Sequence, residues 1–351
     1  MTSALLIEKL DILARLDPCY PLLSLYVNTE IDNTGRHPHD LFVRKALQEA
    51  IKGSAERSPE RESLESDRDR IEQFLTTELR PSTRGVAFFA CHRSNLFESV
   101  QLNVPFDRHR LTVGDRPHLY PLARAHDQYP RCAAVVMDTN SARIFVFGLG
   151  ETEQYIEVQN PKAKHMKAGG WSQARFQRHT ENEHLLHVKE VVDRVDTILA
   201  GEQIVRFVIA GDEVVVPIVQ EQMPARLAEK LVDVVRLDIR ASGTDVLAAT
   251  LDALRREDRA RDRTVVEDLL GASRAGGRAV TGIVDTRKAL RDGQVDTLVI
   301  AATPQQVPGE DAAADELVTA ARKTSASVRF IEDPALLVPA GGVAARLRFL
   351  I

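Results

Sequence analysis

Between Ser172 and Ala200 the chain holds neither glycine nor proline, and Leu185, Val188, Val192, Val195 and Leu199 recur at three- and four-residue spacing. That spacing places the five apolar side chains on one face of an α-helix. An unbroken run of this length makes about seven turns. Such a helix must lay its apolar stripe on another layer of structure. Ser172 is a good N-cap, since its hydroxyl can accept from an amide of the first turn. Ahead of it, Gly169-Gly170 opens backbone conformations that other residues enter only at a cost. A tight, adaptable loop therefore feeds a long rod.

The charge around this junction is one-sided. From Pro161 to Thr180 there is no Asp or Glu, while Lys162, Lys164, Lys167, Arg175 and Arg178 lie there with His165 and His179. The chain's 51 acidic residues in 351 would place about three in such a window. A basic finger in a protein of net charge −5 is expected to reach into a polyanion. The same net charge argues against indiscriminate coating of nucleic acid, and DNA is not an expected partner.

A chain of 351 residues with 44% hydrophobic and 28% charged residues has room for two or three domains, each with its own core. No apolar run approaches the roughly 18 residues of a membrane span. Met1–Leu16 carries Glu8, Lys9, Asp11 and Arg15 among its leucines, which predicts an amphipathic helix and not a signal peptide. A cytoplasmic location is expected. Cys19, Cys91 and Cys132 are odd in number and far apart, so neither a disulfide framework nor a zinc ribbon is suggested.

Along the first part of the chain, Leu22–Val27 reads as a strand, Leu41–Ile51 as a helix and Ser58–Leu79 as a charged helix with Pro59 in its first turn. Gly85–Ala90 and Leu96–Leu102 read as a hairpin around His92–Asn95. Arg116–Pro130, spaced by prolines, reads as a connector. Ala133–Asp138, Ala142–Phe147 and Tyr155–Val158 read as strands, then come the long helix, strand Arg206–Ala210, helix Met223–Leu231 and strand Val232–Leu237. Thr244 opens a further helix whose segment Arg255–Arg263 is almost wholly charged, as expected of a helix bridging two bodies. Helices Thr286–Asp292 and Ala313–Lys323 alternate with strands Thr297–Ala301, Ser327–Ile331 and Val343–Ile351. The alternation predicts an α/β protein.

Several of these residues also resemble those of a known family. Gly169-Gly170 with Ser172, Arg175, Phe176 and Arg178 resembles the peptidyl-tRNA hydrolysis loop of the archaeal and eukaryotic class I release factors. That family's pattern is Gly-Gly-Gln-Ser-x-x-Arg-Phe-x-Arg running into a long helix. Met137-Asp138 and Ala142–Phe147 resemble the start of its middle domain, and Val208-Ile209-Ala210-Gly211 its Leu-x-Leu-Ala-Gly strand end. Asp285-Thr286-x-Lys288-Ala289-Leu290, Gly293 and Val295-x-Thr297-Leu298 resemble its C-terminal domain, which Gly341-Gly342-Val343 and Leu347-Arg348-Phe349 would close. The similarity runs in order through most of residues 85–351. It points to the bacterial release-factor-like proteins, with Pelota and the peptidyl-tRNA hydrolases of ribosome quality control as cousins.

The resemblance implies three domains: an N-terminal α+β domain (1–128), a middle α/β domain with an RNase H-like mixed sheet (129–252), and a C-terminal α/β/α sandwich like ribosomal L7Ae (253–351). It implies the ribosome, through its rRNA, and peptidyl-tRNA as partners, admits a translational GTPase, and calls for no cofactor and no metal. Two departures qualify it. Trp171 stands where the family has its glutamine, and Gln173 follows two residues later. Neither Asn-Ile-Lys-Ser nor Tyr-x-Cys-x-x-x-Phe occurs, so stop-codon decoding is not expected.

Releasing a nascent chain requires water to attack the ester joining peptide to tRNA, with the oxyanion stabilised and the water held in line. Gln173 would place that water, and Gly169 and Gly170 would let the loop approach. Arg175 and Arg178, three apart on one helix face, would grip phosphates. Lys164 and Lys167 add charge, Ser172 sits among the RNA contacts, and Trp171 would stack on a base. The resemblance thus implies a peptidyl-tRNA hydrolase acting on stalled ribosomes, and that is the first expectation. The alternative is a binding factor, Pelota-like or hibernating, that occupies the aminoacyl-tRNA site without chemistry, and Trp171 in the glutamine slot favours it.

Other motifs read as structural. Glu183-His184-Leu185-Leu186-His187 has the wrong order for a zinc protease, and with His179 it reads as a solvated face. Gly276-Gly277 lacks the Gly-Lys-Ser/Thr of a phosphate loop. Asp212-Glu213 reads as a turn, and Cys91 beside His92 as part of the hairpin.

Overall fold

The computed structural model describes residues 2–16, 21–30, 38–159, 173–211 and 214–350, with the side chains of residues 38, 173–181 and 310 outside the description. The described chain is α/β and forms two compact units, Met1–Gln128 with Arg261–Ile351, and Tyr129–Ala260. It contains three sheets. Among the described residues no helix is long and apolar enough to cross a membrane.

The N-terminal part of the first unit runs α1 (Ser3–Ala14), β1 (Leu22–Asn28), α2 (Pro38–Gly53), α3 (Pro59–Thr77), β2 (Gly85–Cys91), β3 (Leu96–Leu102), β4 (Arg110–Gly114) and α4 (Tyr120–Gln128). Thr2 caps α1 by accepting from the Leu5 amide, and Ser58 caps α3 by accepting from the Arg61 amide. The sheet order is β3-β2-β1-β4, antiparallel throughout. Central β1 and β2 are buried almost along their whole length, which is why they read as continuous apolar runs. Leu23, Leu25, Val27, Val86 and Phe88 meet Val43, Leu47, Ile71 and Phe74 of α2 and α3 in one core.

Residues 116–130 are not a plain connector, because they contain α4. The cap of α4 comes from far along the chain, which hides it from local reading. The Asp315 carboxylate accepts from the backbone amides of Leu119 and Tyr120 at 2.5 and 3.0 Å. Short β4 also escapes the sequence pattern.

The second unit runs β5 (Cys132–Met137), β6 (Ser141–Gly148), β7 (Glu151–Gln159), α5 (Gln173–Gly201), β8 (Phe207–Gly211), α6 (Val215–Gln222), α7 (Ala225–Ala228), β9 (Leu231–Val235) and the start of α8 (Gly243–Arg274). The mixed sheet has the order β7-β6-β5-β8-β9: β5, β6 and β7 pair antiparallel, while β8 and β9 add in parallel. Alternation along β5 feeds two cores. Ala133, Val135 and Met137 pack with Val188, Val192, Val195 and Leu199 of α5, while Cys132, Ala134 and Val136 pack with Val246, Leu251 and Leu254 of α8. The expected helix Met223–Leu231 is displaced. Pro217 is tolerated in the first turn of α6, Pro224 separates α6 from short α7, and Leu231 already pairs with Phe207.

Within α8 the boundary between the compact units falls at Ala260–Arg261, inside the charged segment. The rest of the first unit is β10 (Ala279–Thr281), α9 (Ile283–Arg291), β11 (Val295–Ala301), α10 (Glu310–Lys323), β12 (Ser327–Ile331), α11 (Pro334–Leu337) and β13 (Val343–Leu347), in a sheet ordered β10-β13-β11-β12. Gly342 sits at φ 81°, and a Cβ there would collide with the carbonyl oxygen of Gln306, so only glycine fits before β13. Several contacts join α10 and its sheet to the N-terminal elements: Arg322 to Asp11 at 2.6 Å, Arg110 to Asp311 at 2.8 Å, and the Tyr120 hydroxyl donating to the Ala301 carbonyl at 2.7 Å.

Candidate functional site

The run singled out by its glycines and cations lies in the sequence between β7 and α5, both of the second unit. Ser141 pairs with Gln159, Met137 with Gly211, and Ala210 with Val235, so the ends of β5, β7, β8 and β9 lie along one edge of that sheet. The turn beside them is held by Asp138, whose Oδ1 accepts from the amides of Asn140 and Ser141 at 2.7 and 2.8 Å. The apolar pattern alone places Asp138 at a strand end. The Asp-Thr-Asn-Ser run between two strands is the sign of this turn in the sequence.

Lys164, Lys167, Gly169, Gly170, Trp171 and Ser172 lie outside the described residues, as do Asp212, Glu213 and Cys19. Gln173 opens α5, and Arg175 and Arg178 follow within its first turns, with side chains outside the description. The helix that carries them is described.

That helix divides into two halves. Among its described side chains, Val188, Val191, Val192, Val195, Ile198 and Leu199 belong to the core. None of residues 182–186 is buried, and Leu186 is 55% exposed. Gln173 precedes Val188 by fifteen residues, which at 1.5 Å per residue is about 22 Å of helix. The packed half is fixed at its far end by Arg131, which donates to Glu153 and to both the carboxylate and the carbonyl of Glu202, each at 2.7 Å. Gln173, Arg175 and Arg178 thus lie on the part of α5 that precedes Val188, and the opposite end of the helix is anchored.

Beside the packed half runs an open groove between β7 and α5, lined by Glu157, Gln159, Glu190, Asp193, Arg194 and Thr197. Three carboxylates against one guanidinium make it unfavourable for a polyanion. The linear sequence hides this contrast, because Glu157 and Glu190 meet only in the fold.

His187 is 2% exposed, and burial lowers its pKa against the opposing pull of the Ser141 backbone and nearby carboxylates. Among the described residues no group of three His, Cys, Asp or Glu side chains could hold a metal ion. Burial pushes the Cys132 thiol up to about 12, which removes it as a nucleophile. Cys91 is buried in β2, with its thiol against the Ser94 hydroxyl.

Residues 117–255 match the family model of bacterial archaeo-eukaryotic release factor family 10. The chain is 26% identical over 239 residues to the uncharacterized protein YocB of Bacillus subtilis (strain 168), covering 64% of this chain and 90% of that one. Among solved structures it is similar to the archaeal translation termination factor aRF1, at 19% identity over 99% of both chains with a TM-score of 0.29. It is also similar to archaeal Pelota in a model of ribosome-bound Pelota and ABCE1, at 15% identity over 98% of this chain and 94% of that one, with a TM-score of 0.43. Both scores are low.

Proposed function

We propose, from the match of residues 117–255 to bacterial archaeo-eukaryotic release factor family 10, that the chain works on the ribosome as a peptidyl-tRNA hydrolase. It would free nascent chains from stalled ribosomes without decoding a stop codon. The observation that carries this reading is the acid-free, cationic run 161–180, which leads into a helix whose other half is anchored in a core. A rod of this kind can hold a basic tip away from the acidic groove beside its packed half.

In this reading Gly169 and Gly170 let the backbone close against the acyl end of the tRNA. Gln173 holds the attacking water through its amide, which does not titrate near neutral pH. Lys164, Lys167, Arg175 and Arg178 meet phosphates, Trp171 stacks on an exposed base, and Ser172 caps the helix near them. The second reading, a factor that occupies the aminoacyl-tRNA site without chemistry, is favoured by Trp171 in the family's glutamine position.

The test adds purified protein to stalled ribosome–nascent-chain complexes and measures freed peptide. The hydrolase releases peptide, and Gln173→Ala abolishes release while ribosome binding persists. Undiminished release by Gln173→Ala removes that residue's role. Tight binding without release by the unmodified protein selects the second reading.

A further inference from the structure

The segment that leads to α4 builds a second cationic feature, in the first unit. Arg108, Arg110, Arg124, Tyr120, Asp107 and Gln128 line one cleft, walled by Phe106 and three prolines. Three guanidinium groups thus face it against a single carboxylate. Asp107 on the cleft wall pairs with Arg124 at 3.4 Å, and two further carboxylates pair with the arginines without lining the cleft: Asp311 with Arg110 at 2.8 Å and with Arg108 at 3.5 Å, and Glu332 with Arg124 at 3.5 Å. With Asp311 and Glu332 lying off the lining, the wall of the cleft still carries more guanidinium than carboxylate groups.

The three arginines are differently committed. Arg124 reaches the Ala302 carbonyl, Asp107 and Glu332, and the Gln128 amide oxygen, turned toward it, would accept from two of its N–H groups at 3.1 Å. It is a fixed charge. Arg110, with its side chain 14% exposed, meets His118 and Asp311. Arg108 is 54% exposed, and its contact with Asp311 is long. A guanidinium has five N–H donors, so among the described contacts both keep donors to give. The cavity of about 60 Å³ is several times the roughly 10–15 Å³ that one water needs. Apolar walls of Phe106 and proline lower the local dielectric and strengthen any ion held there.

We propose that this cleft binds a phosphate group, whose oxygens accept forked hydrogen bonds from Arg108 and Arg110 while Arg124 supplies standing charge. The site is independent of the 160–172 loop and of the hydrolase reading. The phosphate belongs either to a small phosphorylated molecule or to an RNA backbone.

The experiment uses the full chain. Thermal unfolding is compared in inorganic phosphate and in sodium chloride at matched ionic strength, and binding of a short single-stranded RNA is followed by fluorescence anisotropy. Phosphate is expected to raise the melting temperature, and Arg108→Glu to erase that rise while leaving the phosphate-free value unchanged. Arg108→Lys keeps part of it. If RNA is the source, Arg108→Glu weakens RNA binding about tenfold, the size of one charge-assisted contact, and phosphate competes. A phosphate response with RNA binding indifferent to Arg108 assigns a small phosphorylated molecule. No phosphate-specific rise, or a rise and RNA affinity both indifferent to Arg108, overturns the proposal and leaves an ion-pair network. Should Arg108→Glu lower the phosphate-free melting temperature, Arg108→Ala decides by the same readouts.

Discussion

The carbonyl oxygen of Met137 stands 2.8 Å from where a Cβ on Gly211 would be, because the two residues pair in register across parallel strands β5 and β8. Val215 of α6 closes the same space, its Cγ1 3.1 Å from that point. The strand end beside the candidate site is therefore built around a missing side chain. Gly211→Ala is expected to destabilise the protein by about 1–3 kcal/mol, the usual effect of overpacking. Thermal unfolding checks this, and an unaltered melting temperature would show that β5 and β8 can move apart freely.

Asp67 offers a pH test in the N-terminal part. Burial pushes its carboxyl up to about 6, opposed by the amide and charge of His92 and by Ser63. The unfolded carboxyl titrates near 3.8, so on raising the pH it is the unfolded chain that loses this proton first. Stability from this group is present below that value and is lost as pH rises through about 6. Asp67→Asn should stabilise the protein at neutral pH by about 1–3 kcal/mol and have little effect near pH 4. Denaturant unfolding at the two pH values decides it.

His126 works in the opposite sense. Burial first, then the charge of Arg322, holds its pKa down at about 4, while the Ser3 hydroxyl lies 2.9 Å from its Nε2. The unfolded imidazole takes up a proton near 6.5, so this contribution is present above 6.5 and is lost as pH falls toward 4. His126→Gln is expected to flatten the acid side of the stability profile, with the wild-type loss amounting to about 2–3 kcal/mol. An identical acid slope in the variant would contradict the assignment.

On the proposed reading, Arg175 and Arg178 neutralise RNA phosphates. Replacing both with Ala should weaken ribosome association and reduce the slope of log affinity against log salt by about 0.7–0.9 for each phosphate left unneutralised. Sedimentation of ribosome complexes over a salt series measures this. A parallel line displaced downward would mean that neither arginine meets a phosphate.

Most of the fold is legible where burial is two-sided. β1, β2, β5 and β8 are apolar runs, and the second half of α5 announces itself by its stripe. β7 is longer than its apolar core suggests, because an edge strand can carry Glu151, Glu153, Gln154 and Glu157. Helix α4 is invisible to local pattern because its cap, Asp315, lies nearly two hundred residues away. The site is legible as composition, an absence of acids around two glycines. The acidic groove between β7 and α5 is not, since Glu157 and Asp193 come to line it together only when α5 folds back on the sheet.

The two halves of α5 answer to different demands. Val188, Val192 and Leu199 cannot change without opening the core, whereas none of residues 182–186 is buried in it. Substitutions at residues 182–186 are therefore expected to cost the fold far less than substitutions at Val188, Val192 or Leu199.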